Sequence, residues 1–139
     1  MDKFMVSLQE ILTKHMRPVE NKLRKLFQEE YPKAIIRSGA WNNPSIVTAY
    51  TSVFPGRKPT DDSIDFILQV IVSETSFEFR ADISLSSGEL IDDILNEVST
   101  FRNRDELINK VIDQSRKASN ILADKVMELY IKGNFIKFL

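Results

Sequence analysis

His15 is the only histidine in the 139-residue chain, and there is no cysteine. Those two facts remove most of the side chains that do chemistry near neutral pH. Without thiolates there is no disulfide, no zinc–thiolate site, no iron–sulfur ligation and no cysteine nucleophile. A metal site would have to be all oxygen. The adjacent carboxylates Asp61-Asp62 and Asp92-Asp93 are poorly placed for that, because neighbouring side chains diverge on any regular element. They read as a loop and a solvated helix face. His15 falls on an apolar stripe, where a lone histidine is usually a core or rim residue with a satisfied ring. No serine sits in a nucleophile elbow, and a base beside one would have to be His15 or a lysine. Gly39, Gly56, Gly88 and Gly133 are too scattered to cradle a phosphate. Gly56-Arg57-Lys58 lacks a second glycine and a following helix, and reads as an exposed turn. The expectation is a protein that is not an enzyme, with no catalytic residue, no cofactor and no metal.

Binding is the chemistry that remains, and charge is its clearest trace. The net charge is −1, but residues 1–37 carry +3, residues 38–100 carry −7 and residues 101–139 carry +3. The basic flanks supply Lys14, Arg17, Lys22, Arg24 and Lys25, then Arg102, Arg104, Lys110, Arg116, Lys117, Lys125, Lys132 and Lys137. Nucleic-acid recognition wants clustered positive charge with aromatic platforms beside it. Here Asp105, Glu106, Asp113, Asp124 and Glu128 are interleaved and dilute the field, so solvated helix surface is the better reading. The acidic middle is different. Glu78, Arg80 and Asp82 share one row of a strand, and Asp65, Ile67, Gln69 and Ile71 join them if the neighbouring strand turns the same parity outward. An apolar centre in an acidic surround is how many protein-binding patches are built. The competing reading covers Ile67 and Ile71 with a helix.

The elements that must position these residues follow from periodicity. Phe4, Leu8, Ile11, Leu12, His15, Val19, Leu23, Leu26 and Phe27 recur at helical spacing. The stripe keeps its phase across Pro18, which predicts one kinked helix ended by Pro32. Strands are expected at residues 33–41 and 45–54, separated by the turn residues Asn42-Asn43-Pro44, and a proline-bounded loop follows over 55–62. Ile64, Phe66, Leu68, Val70 and Val72 then share a face, with Ile67 and Ile71 making the other face partly apolar, as in a central strand. Phe77, Phe79, Ala81, Ile83 and Leu85 alternate with Glu78, Arg80, Asp82 and Ser84 without a fault. Ser86-Ser87-Gly88-Glu89 reads as a capping box opening a short helix through Leu90, Ile91, Ile94, Leu95 and Val98. Asn103 and Glu106 repeat that logic for a last long helix with Leu107, Val111, Ala118, Ile121, Leu122, Val126 and Leu129 inward and Gly133 at its end.

These elements predict one α+β domain over residues 1–139. It is a two-layer sandwich in the order α-β-β-β-β-α-α, with a four-stranded antiparallel sheet and the long N- and C-terminal helices on one face. The longest apolar run is too short to span a bilayer, and the N-terminus does not read as a signal peptide, so cytoplasm is the expected compartment with no membrane association. Phe135, Ile136, Phe138 and Leu139 close the chain with four large apolar side chains. They are expected to dock on the domain or to form a homodimer contact. No motif names a family. In size, charge and lack of motifs the chain resembles bacterial immunity proteins, inhibitors that neutralise toxic nucleases, and that likeness of class implies a non-catalytic module binding a basic protein partner. The alternatives are a small-molecule site or uncharacterised enzyme between the sheet and the last helix, and nucleic-acid binding through the basic helices.

Overall fold

The computed structural model describes residues 3–54 and 63–131. It shows an α+β fold of two helices and one antiparallel sheet of five strands. In chain order these are α1 (Lys3–Glu30), β1 (Ile35–Asn42), β2 (Ile46–Phe54), β3 (Ile64–Val72), β4 (Ser76–Leu85), β5 (Leu90–Thr100) and α2 (Arg104–Ile131). The strands lie in sequence order, each antiparallel to the next, so β3 is central and β1 and β5 are the edges. The loop expected over 55–62, with Arg57, Lys58, Asp61 and Asp62, and the C-terminal residues with Gly133, Phe135, Ile136, Phe138 and Leu139 lie outside the described residues.

Helix α1 runs unbroken through Pro18. Met5, Leu8, Leu12, Met16, Val19, Leu23 and Phe27 form its buried stripe, while Pro18 and Lys14 are exposed. The donor that proline lacks is therefore missing on the wet side, where water can satisfy the carbonyl. Pro32 sits in the turn beyond the helix, as its spacing predicts. Helix α2 opens at Asn103, whose side-chain oxygen accepts from the Glu106 backbone N–H at 2.9 Å, an N-cap. It buries Leu107, Val111, Ala118, Leu122, Val126 and Leu129, and Ile121 is half-buried. The helices pack on each other, α1 over β1 to β3 and α2 over β3 to β5. Arg104 at the start of α2 stacks over the Phe4 ring at the start of α1, 4.6 Å from its centroid.

The alternation read in β3 and β4 holds. Ile64, Phe66, Leu68 and Val70, with Phe77, Phe79, Ala81 and Ile83, are all buried against the helices, and Val72 and Leu85 pack at the margin. From β2, Val47, Ala49, Thr51 and Val53 join them.

The expected helix over Leu90 to Val98 is instead the fifth strand, so the order is α-β-β-β-β-β-α. Two bulges explain the misreading. Against β4 the pairing passes from Ala81↔Leu95 to Asp82↔Asp93, and from Ile83↔Asp92 to Ser84↔Leu90, leaving Ile94 and Ile91 as inserted residues. Each insertion resets the alternation. Apolar residues then fall at 90, 91, 94, 95 and 98, which is the period of a helix, while Ile91, Ile94 and Leu95 still reach the core. The supposed capping box is a hairpin turn. Gly88 N–H donates to the Leu85 carbonyl and Leu85 N–H to the Glu89 carbonyl, each at 2.8 Å, and Gly88 has φ +93°. Glycine is wanted there for its backbone, since an added Cβ meets nothing within 4 Å.

Two stability measurements check this assignment. In urea denaturation Phe79→Ala should cost about 3–5 kcal/mol, through lost burial and the cavity left behind, and Arg80→Ala only a small fraction of that. Equal costs would invert the faces of β4. Gly88→Ala should destabilise by about 1–2 kcal/mol by forcing an L-residue to positive φ; an unchanged unfolding midpoint would contradict the turn.

Candidate partner-binding face

The strand register sets out the face of the sheet that turns away from the helices, row by row. One row carries Ile46, Ile71, Glu78 and Val98. The next carries Trp41, Thr48, Gln69, Arg80 and Asn96, and the next Gly39, Tyr50, Ile67, Asp82 and Asp93. A last row carries Arg37, Ser52, Asp65, Ser84 and Leu90. All seven residues singled out from the sequence, Asp65, Ile67, Gln69, Ile71, Glu78, Arg80 and Asp82, therefore meet on two adjacent strands of one face. Both described helices lie on the opposite face, so neither covers Ile67 or Ile71, which are half-buried among their own neighbours.

Over β1 to β3 the face sets Trp41, Ile46, Tyr50, Ile67 and Ile71 among the polar Arg37, Thr48, Ser52, Asp65 and Gln69. Over β4 and β5 it is charged, with Glu78, Arg80, Asp82 and Asp93. Among the described residues four large apolar side chains are exposed, and three of them belong here: Trp41 at 45%, Leu90 at 55% and Val98 at 72%. The Tyr50 ring lies flat across its cross-strand neighbour Gly39, where a Cβ would meet the phenol oxygen at 2.5 Å. Glycine at 39 thus lets the ring lie down on the sheet. Gln69 donates to the Thr48 hydroxyl at 3.0 Å, and Arg80 forms an ion pair with Glu78.

Electrostatics single out Asp82. Burial pushes its carboxyl above its ordinary value, and the charges of Asp93 beside it and of Asp65 add to the rise against the pull of Arg80. Ionising Asp82 therefore opposes folding.

Sequence reasoning missed Trp41, Tyr50, Leu90, Asp93 and Val98. The last three were hidden by the helical reading of β5. The signal for the first two was the Gly39 that faces Tyr50, legible only with the β1–β2 register in hand.

The basic side chains of the helices are drawn into local pairs. Arg102 and Lys110 both contact Glu106, which these hydrogen bonds hold below its ordinary pKa. Lys117 reaches Glu97, and Lys125 lies between Asp92 and Glu128, which raise its pKa. Arg24 pairs with Glu20 at 2.9 Å. Glu20 itself is pushed up by burial, but the Ser38 hydroxyl, Arg24 and Arg17 together bring it below its ordinary value. The half-buried His15 ring donates from Nδ1 to the Ile11 carbonyl at 2.8 Å, the satisfied role expected of it. Among the described residues no group of three or more His, Asp or Glu is placed to hold a metal ion, and no helix is long and apolar enough to cross a membrane. No model of a known protein family matches the chain, and no curated protein matches it.

The Asp82 environment has a measurable consequence. A carboxyl whose folded pKa is raised costs stability above that pKa, and the cost fades as both states protonate in acid. Asp82→Asn should therefore raise the melting temperature at pH 7, with the gain vanishing below about pH 4. Melting curves of the two proteins across that range check it, and a gain that persists undiminished in acid would contradict the charge explanation.

Proposed function

We propose that the chain is a non-catalytic protein-binding module that uses the open sheet face against a basic protein partner. One observation carries this reading. In a single row the apolar Tyr50 and Ile67 abut the acidic pair Asp82 and Asp93, with the exposed Trp41, Leu90 and Val98 around them. A partner's apolar side chains would cover the first half, and its lysines or arginines would relieve the repulsion in the second. Charge at such a rim acts mainly on the rate of encounter and on the rejection of wrong partners. The size and charge of the chain suggest an inhibitor of the immunity type, acting in the cytoplasm by occluding a cationic protein. The small-molecule alternative has less behind it, because Leu107, Val111, Ala118 and Leu122 of α2 are all buried in the core against the sheet. The nucleic-acid alternative is weakened by the acidic partners of the helix lysines and arginines.

The test is a charge reversal read in binding kinetics. A basic partner recovered by affinity capture should associate more slowly with the Glu78→Lys, Asp82→Lys variant, and the difference should shrink as salt screens the field. Reversing the exposed Lys25 and Arg116 of the helices should change little. Binding that survives the sheet-face reversal and is abolished by the helix reversal would move the site to the helices and make the partner acidic, nucleic acid included.

A further inference from the structure

The two edges of the sheet are finished differently. β5 breaks its ladder at two bulges and carries Asp92, Asp93 and Glu97, devices that keep an edge from pairing. β1 runs eight residues in unbroken register with β2, without proline or bulge, and Arg37 is its single charge. Its outward groups follow from the hairpin. Asn43 N–H bonds to the Ile46 carbonyl, so by the alternation of an antiparallel ladder the odd-numbered residues of β1 bond to β2. The even-numbered Ile36, Ser38, Ala40 and Asn42 then turn their N–H and C=O groups outward. Arg24 agrees with this parity, since it donates to the Ile36 carbonyl at 3.1 Å, an oxygen that it would share with or yield to a pairing strand. Among the described residues no further strand pairs with β1.

We propose that β1 pairs antiparallel with β1 of a second copy of the chain, about a two-fold axis at Gly39 that sets Arg37 of each copy opposite Trp41 of the other. An axis normal to the sheet pairs residues of the same face, which leaves three registers centred in the strand, at Ser38, Gly39 or Ala40. Centring on Ala40 drives Trp41 onto Gly39 of the second copy, where the Tyr50 phenol already lies. Centring on Ser38 pairs Trp41 with Ile35 but leaves the exposed Arg37 opposite Gly39 with no side chain to meet. Centring on Gly39 brings the exposed Arg37 and the half-exposed Trp41 together twice, in the closely spaced, non-hydrogen-bonded pairs where cross-strand side chains touch and a guanidinium can stack on indole. Glycine faces glycine at the axis. On the helix side Ser38 meets Ala40, both small. The dimer is isologous and joins two open faces into one ten-stranded surface. It stands independently of what that face binds.

Sedimentation equilibrium of the full chain over a concentration series should show a species of twice 16.0 kDa. Ala40→Pro removes an outward donor without touching the β2 ladder, and should abolish the dimer while the circular dichroism spectrum is kept. Arg37→Glu, on an exposed side chain, should weaken the dimer about tenfold and decides the matter if the proline variant fails to fold. Because the chain has no cysteine, disulfides report the register. Ser38→Cys mixed with Ala40→Cys should cross-link under oxidation, and neither should alone. A protein that stays monomeric up to its solubility limit, a dimer indifferent to Arg37→Glu, or cross-linking by Ser38→Cys or Ala40→Cys alone would overturn the proposal.

Discussion

Phe66 and Leu68 on β3, with Phe77, Phe79 and Ile83 on β4, all point to the same side of the sheet and are closed off by two amphipathic helices. This one-sided burial is what the rest of the structure depends on. It engages the apolar stripes of both helices, so among the described residues no helix is left to cover the second face. Its residues show the consequence: Thr48 and Ser52 are buried only by their neighbours, while Trp41 and Val98 stay in water.

The fifth strand shows how an edge can serve a core and a surface at once. A regular strand would send alternate residues inward and could not bring Ile91, Ile94 and Leu95 all to the core within five positions. Two bulges relax that constraint. The same bulges leave Leu90, Asp93 and Val98 on the open face and interrupt the ladder that another chain could extend. At β1 the constraint is Gly39, which lets an aromatic ring from β2 lie along the sheet and leaves the edge straight.

Charge follows the same geography. The helix surfaces are neutralised by short-range pairs, such as Lys125 between Asp92 and Glu128, each worth little individually in water. On β4 burial, with the charge of Asp93 beside it, holds the Asp82 carboxyl above its ordinary value, so ionising it costs the fold. Asp82 and Asp93 lie on the same face as the exposed Trp41, Leu90 and Val98, in contrast to the short-range charge pairs of the helix surfaces.

The sequence by itself determined α1, α2, β1 to β4, the inward row of each strong strand and the candidate row from Asp65 to Asp82, because these rest on periods of 3.6 and 2 that act over a few residues. It also excluded cysteine chemistry, since a missing residue type needs no fold to be noticed. Only the tertiary structure decided that Leu90 to Val98 is a strand, because a doubly bulged strand and a helix leave the same apolar pattern and pairing with β4 settles which forms. It alone decided that neither described helix covers Ile67 and Ile71, which the sequence had left open. It also brought Tyr50 onto Gly39 and Asp93 beside Asp82. Cross-strand neighbours are set by register between residues eleven positions apart, and no local pattern encodes that distance.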